Sequence, residues 1–250
     1  MWDYEIDWLP PSIEVVSRED LLMWRRAAGP AAQQRWGNRV GFVRTTVGKV
    51  DAVIDEVLDF FADLPFTWVV GPSSTPSDIA QRLASRGLGD VGDGDLLTAP
   101  LPVRGLRVND EVRIVEATDA MTIRVGLALA HPSASADDLS TMLDERLAYL
   151  GHPARRGGYL VAFVGAEPVA NAGYRYSTDG QTVYLSGAET AEHWRGQGVY
   201  QSLVAHRTET ALRRGCCFAA IRARRDTSRP ILLKRGFVDH GHLPIFSRES

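Results

Sequence analysis

Three β-patterned runs follow one another with no helix between them: Tyr159–Val164, Val169–Tyr176 and Thr182–Ala188. Gly165-Ala166-Glu167-Pro168 joins the first two, and Asp179-Gly180 stands before the third. Asp-Gly is a strong signal for a tight hairpin turn. Runs this close together satisfy their backbones as an antiparallel meander. The third run then leads into a glycine-punctuated stretch, Arg195-Gly196-Gln197-Gly198, and a long helix from about Gly198 to Arg214, stopped by Gly215. A meander with one face to bury, whose last strand feeds a helix, restricts the chain to an α/β sandwich.

The neighbouring segments fit that frame. Glu111–Ala117 reads as a strand, and Thr118 is positioned to cap a helix running to about Ala130. Ser135-Ala136-Asp137-Asp138 has capping-box spacing ahead of a helix ending near Leu150. Cys216–Arg222 reads as a strand, Ser228–Arg235 as a short helix and Phe237–Phe246 as a last strand. The order is β-α-α-β-β-β-α-β-α-β, a mixed, mostly antiparallel sheet flanked by helices.

The first half reads less regularly. Residues 12–16 form a short strand, and Ser17 caps a helix to about Trp36. Val50, Val53, Ile54, Val57, Leu58 and Phe61 repeat with helical spacing over 49–62. Residues 66–70 form a strand, and Ser77 caps a helix through Arg86. Residues 89–110, rich in Gly, Pro and Asp, hold a return strand and a linker. The expected division is therefore a smaller α/β domain over 1–105 and a second domain over 106–250. The tryptophans Trp2, Trp8, Trp24, Trp36 and Trp68 crowd the first domain, mostly as core.

Charge and cysteine content exclude several classes. The net charge is −3, which leaves no general nucleic-acid footprint. The first 105 residues carry −5 and the rest +2. Cys216 and Cys217 are adjacent, which suits neither a disulfide framework nor a zinc site. The acidic start, Met1-Trp2-Asp3-Tyr4-Glu5, has no apolar signal core. No stretch nears the roughly 20 apolar residues that span a bilayer. These readings point to a cytoplasmic protein without a membrane or nucleic-acid partner.

The strand–glycine turn–helix passage carries the chemistry. N–H groups at a helix start lack intrahelical partners, and the helix dipole adds positive potential there. Glycines let the main chain approach an anion, which makes a diphosphate cradle. The Arg195 guanidinium adds a bidentate phosphate contact. Arg195-Gly196-Gln197-Gly198-Val199-Tyr200 resembles the Arg/Gln-x-x-Gly-x-Gly/Ala signature of the GNAT superfamily of N-acyltransferases. Lys234-Arg235-Gly236-Phe237 is similar to that family's later Lys-x-Gly-Phe segment. The resemblance covers about residues 110–250. It implies an acyl-CoA-dependent transferase, with acetyl-CoA as donor and a small-molecule or peptide amine as acceptor.

It also implies roles. Residues 195–200 hold the diphosphate. Main-chain groups at Ala188 and Thr190 meet the pantetheine arm between two splayed strands, and a backbone N–H there polarises the thioester carbonyl. Glu189, Glu192 or His193 takes the proton from the amine, Glu189 being nearest the expected thioester. Tyr184 lines the acceptor pocket or belongs to the core. Thr227 and Ser228 touch the arm, cap a helix, or do both. Two positions depart from the family pattern. Tyr200 replaces a small residue and either lies over the cofactor or packs outward. Leu232 stands near the place of an acidic Tyr and has no proton to give.

Three further signals remain. Gly87-Leu88-Gly89-Asp90-Val91-Gly92 matches a dinucleotide string but follows a helix and carries repelling aspartates, so it reads as a loop. His240-Gly241-His242 reads as a pair of strand histidines rather than a metal site. Arg86–Asp93 parallels Arg235–His242, with Arg, Gly, Asp and Gly in register, which leaves a duplicated fold open, its first half degenerate for CoA. A non-catalytic acyl-CoA sensor is the alternative to an enzyme, and the missing Gly-Lys-Ser/Thr disfavours a nucleotide-binding protein of another class.

Overall fold

A computed structural model describes residues 7–26, 32, 35 and 37–248. In chain order the first elements are β1 (Ile13–Ser17), β2 (Leu21–Arg26), β3 (Arg39–Val43), α1 (Val50–Phe61), β4 (Thr67–Val69), α2 (Ile79–Ser85), β5 (Leu88–Asp90) and β6 (Gly94–Pro100). There follow β7 (Val112–Glu116), α3 (Ala120–Ala130), α4 (Ala136–Gly151), β8 (Gly157–Val164), β9 (Glu167–Tyr176) and β10 (Thr182–Thr190). After a 3-10 turn at Glu192–Trp194 come α5 (Val199–Arg213), β11 (Phe218–Arg224), α6 (Ser228–Leu233), β12 (Val238–His242) and β13 (Ile245–Arg248).

The chain forms two compact units. One holds the described residues up to Asp93 together with the segment from His242; the other is Gly94–Gly241. The first unit's sheet has the order β1-β2-β3-β4-β13-β5. Its core gathers Val50, Val53, Ile54, Val57 and Phe61 from one face of α1, with Phe61 stacked on Phe66 at 4.3 Å between ring centroids. Trp68 is fully buried there. The helix expected from Ser17 does not form over 21–26, where β2 runs instead. Leu21, Leu22, Met23 and Trp24 are all buried, so this strand is covered on both faces and shows no polar alternation to betray it. Trp2 and Trp36 lie outside the described residues.

The second unit's sheet has the order β12-β6-β11-β10-β9-β8-β7. Its meander is antiparallel from β7 to β10, and β10 then pairs in parallel with β11. Helix α5 packs on one face through Val199, Leu203 and Val204. Helices α3 and α4 cover the other through Ile123, Leu127 and Leu143. Gly126 lets α3 settle close, because a Cβ there would stand 3.0 Å from Val161. The Ser135 capping box opens α4 as expected; at α3 the cap is Asp119, one residue beyond Thr118.

The division between units differs from the one read at 105. β6 pairs along its whole length with β11, from Pro100 opposite Phe218 to Gly94 opposite Arg224. β13 enters the first sheet between β4 and β5. The expected last strand, 237–246, thus breaks into β12 and β13, one in each sheet. The first unit thus takes β13 from the far end of the chain, whereas the second is one continuous segment that begins with β6. In both sheets a parallel pair (β3 with β4, β10 with β11) is followed by β13 or β6 and then by β5 or β12. The paralleled segments Arg86–Asp93 and Arg235–His242 fall at the same place in these two arrangements, after α2 and after α6.

Candidate functional site

The second unit's sheet opens beside its parallel pair. β10 and β11 are in register only from Thr182 opposite Phe218 to Tyr184 opposite Ala220. Beyond that, β10 continues to Thr190 and β11 to Arg224 without pairing with each other, while β11 stays bonded to β6. On the other side, pairing of β10 with β9 shifts between Ser186 and Glu189. Gly187, with φ +40°, and Ala188 have no register partner on either neighbour. The main chain of this bulge therefore opens into a wedge between two strands.

At the mouth of the wedge lies the Arg195–Gly198 turn. Gly196 and Gly198 have φ of +75° and +86°, in the left-handed region that L side chains avoid. The Ser202 N–H donates back to the Gly198 carbonyl at 2.9 Å, which opens the regular bonding of α5. Gln197 fixes the turn by donating from Nε2 to the His193 carbonyl at 2.7 Å. The Arg195 guanidinium is exposed and leans back to the Thr190 carbonyl at 3.3 Å. The Val199 side chain is buried, so only its main chain faces the turn. The corresponding start of α1 is closed: Lys49 and Val50 N–H both donate to the Thr46 carbonyl, and Asp51 stands in the first turn.

Tyr200 does not pack outward. Its ring turns inward against the core shared by Val183, Leu185, Ile221 and Leu232. Burial raises its pKa, and its hydroxyl lies beside Ser228 without a fully formed hydrogen bond. Thr227 sits at the cap position of α6 with no side-chain cap bond. Ser228 instead accepts the Arg224 N–H at 2.9 Å, closing the end of β11 on the far wall of the wedge. Leu232 is fully buried in the core.

The face under α3 and α4 holds the polar groups. Register places Tyr159, Gly173 and Ser186 on one rung, and Val161, Asn171 and Glu189 on the next. Tyr184 stands one rung earlier, opposite Arg175. Tyr159 and Val161 pack toward α3 and α4, so Tyr184, Ser186 and Glu189 share that face. Glu189 is exposed and Tyr184 half-buried. Asn171 is 5% exposed, and its Nδ2 has no partner among the described residues. Glu192 is exposed in the 3-10 turn, and His193 pairs with Glu167 at 2.7 Å, so neither joins this group. His131 ends α3 nearby; desolvation lowers its pKa, Arg146 adds to the effect and Glu189 opposes it.

One residue was missed in the sequence. Arg207, on α5, is 2% exposed. Its Nε donates to the Leu203 carbonyl at 3.0 Å, and Nη1 to the carbonyls of Gly173 at 2.9 Å and Ser186 at 3.3 Å. Burial pushes its pKa down to about 10. A cation thus grips the strand where the bulge begins. Its signal was present: Val199, Leu203, Arg207 and Ala211 share one helical stripe, otherwise apolar and buried. The histidines set aside as metal ligands are engaged elsewhere, His240 with Thr98 at 2.7 Å and His242 with Asp90 at 2.6 Å.

A meander, a bulged strand splayed from its parallel neighbour and a helix start after a glycine turn make up the candidate site. Residues 126–237 match the model of the acetyltransferase (GNAT) family. A GCN5-related N-acetyltransferase from Kribbella flavida is similar in fold, with TM-score 0.69 at 18% identity, covering 96% of this chain and 90% of that one. A tandem GNAT protein from the clavulanic acid biosynthesis pathway gives 0.67 at 15%, covering 96% and 84%. A conserved protein of unknown function from Staphylococcus epidermidis gives 0.64 at 15%, covering 95% and 94%. No curated protein matches the sequence. No helix among the described residues is long and apolar enough to cross a membrane.

Proposed function

We propose that the second unit transfers an acetyl or related acyl group from CoA to an amine. The observation that carries this reading is the wedge between β10 and β11, with an open glycine turn at its mouth and a bulge at its wall. Acyl-CoA supplies the activated thioester. The N–H groups from Gly196 to Gln201 and the α5 dipole receive its diphosphate, and Arg195 adds a cation. The main chain at Ala188 and Thr190 pairs with the pantetheine arm. An N–H in the bulge polarises the thioester carbonyl as charge develops on its oxygen. The Ser228 hydroxyl accepts from Arg224 and retains a proton to donate to the arm, with Thr227 beside it.

Glu189 is the proposed base, because it alone of the three candidates shares a face with Tyr184 and the α3–α4 cover. It takes the proton from the ammonium form of the acceptor, directly or through water. The amine nitrogen then bonds to the carbonyl carbon, the C–S bond breaks, and the nitrogen gives up its second proton to water. Leu232 cannot protonate the departing sulfur, so it leaves as thiolate, which a thiol pKa of about 8.5 permits. Tyr184 lines the acceptor side. Among its described residues the first unit shows no helix start after a glycine turn of this kind, and it serves as structure.

The buried Leu232 also favours a second reading, an acyl-CoA binder without transfer. A thiol-release assay with acetyl-CoA and a panel of amines separates them. Amine-dependent release of free CoA supports transfer. Binding without release under any amine supports the sensor.

A further inference from the structure

The face that carries Glu189 also carries a cation without an anion. Arg146 projects from α4, half-buried, with its guanidinium carbon 4.2 Å from the centroid of the Tyr159 ring. Arg18, Arg25, Arg82, Arg86, Arg225 and Arg229 all pair with carboxylates. Among the described residues no carboxylate lies within ion-pair distance of Arg146. Burial lowers its pKa, opposed only by Tyr159. A half-buried guanidinium stacked on a ring through its face keeps its edge N–H groups for an in-plane partner, and a carboxylate fits that edge with two parallel bonds.

The partner's place follows from the register. Tyr159, under Arg146, faces Gly173 and then Ser186 across the sheet, so β9 raises no side chain between Tyr159 and β10. Glu189 is one rung further along β10. Neighbouring strands are about 4.8 Å apart, so Tyr159 and Glu189 stand on the order of 10 Å apart at the backbone. His131 lies within the influence of both Arg146 and Glu189. The unpartnered Nδ2 of Asn171 stands on the Glu189 rung. The face therefore offers an anion at one end and a cation at the other. A single cation opposite a carboxylate suits one negative charge; a phosphate dianion would be left partly uncompensated.

We infer that Arg146 receives a carboxylate of the acceptor, so that the acceptors are amines that also bear a carboxylate, such as amino acids or short peptides. The inference rests on the proposed acyl transfer, since it concerns the acceptor of that reaction. Arg146 binds and orients; Glu189 handles the proton.

The test uses the full chain with matched pairs: α- and ω-amino acids and glycyl dipeptides, each against its carboxamide. Binding is read by saturation-transfer NMR in the presence of CoA, and transfer by thiol release. The acid of at least one pair is expected to bind and to exceed its amide in kcat/KM by about ten- to a hundred-fold. Arg146→Gln should bring that ratio toward one, and Arg146→Lys should keep a preference for the acid. The ratio within one variant is insensitive to how much of it folds. Equal use of acid and amide, or a preference surviving in Arg146→Gln, overturns the inference while transfer stands. Binding of acids, lost in Arg146→Gln but without transfer of any acid or amide, upholds Arg146 as a carboxylate site and overturns both the transferase reading and the acceptor role inferred from it. No binding of either member of any pair overturns the inference outright.

Discussion

The two glycines of the turn offer a controlled perturbation. Gly196→Ala and Gly198→Ala each force an L residue into the left-handed region, at about 1–2 kcal/mol. Their surroundings differ. A Cβ on Gly196 meets nothing within 4 Å, whereas one on Gly198 would stand 3.1 Å from the Arg107 carbonyl oxygen and 3.4 Å from Asn109 Cβ. The chain passing there is pinned to α5. Asn109 Nδ2 donates to the Gln197 carbonyl, Asn109 N–H to Ser202 Oγ and Arg107 N–H to Gln201 Oε1, each at 2.9 Å. Relieving the contact moves this segment and loosens one or two of those bonds, each worth about 0.5–1.5 kcal/mol net. Gly198→Ala should therefore cost about 1–2 kcal/mol more than Gly196→Ala. The loss arises inside the protein, against the Arg107–Asn109 strap, rather than against a bound diphosphate as the motif alone suggests. Urea unfolding of both variants, followed by tryptophan fluorescence, measures the difference as a shift in midpoint at constant slope. Equal midpoints would refute the reasoning.

Three further outcomes follow from the site. Arg207→Met should lower kcat about ten-fold or more with little change in the KM for acyl-CoA, since the Ser186 carbonyl loses the donor that holds the bulge; Arg207→Lys should recover part of the loss. A merely structural Arg207 would instead shift the melting temperature and leave kcat alone. Glu189→Gln should cut turnover about 10²–10⁴-fold while sparing CoA affinity, and Glu192→Gln and His193→Gln should not; the reverse pattern in thiol release would move the base along the loop. His131 and His206 both have pKa values held below the ordinary 6.5, chiefly by burial, so the unfolded chain binds more protons than the folded one below that pH. Stability should then rise with pH through the window between the lowered values and 6.5 and fall on acidification, a slope that His131→Gln with His206→Gln flattens; an unchanged slope in urea midpoints between pH 7 and 5 contradicts it.

Much of the second unit was legible because its signals are local. The Ser135 box, the Asp179-Gly180 turn and the glycines at 196 and 198 act within a few residues, and periodicity marks the face of α1. Signals failed where distant chain decides. Leu21–Trp24 reads as a helix start, yet it is a strand covered on both sides. Nothing within Gly94–Pro100 or Ile245–Arg248 says which sheet each will join, because β6 and β13 are short, mostly buried strands whose partners lie far away in the chain. Tyr200 was misread because its helical position could face ligand or core; the apolar stripe it joins, with Val204 and Ala211, settles the direction. Arg207 stayed hidden because charge on a helix is ordinarily a solvated face.

The central claim is that the turn from Gly196 into α5 receives the diphosphate of CoA. Calorimetric titration of the full chain with CoA, and separately with pantetheine, which has the arm but no diphosphate, tests it most directly. The account predicts that CoA binds, that pantetheine binds at least about a hundred-fold more weakly, and that Arg195→Ala weakens CoA while leaving pantetheine unchanged. Equal affinity for CoA and pantetheine, or no binding of CoA, would contradict it.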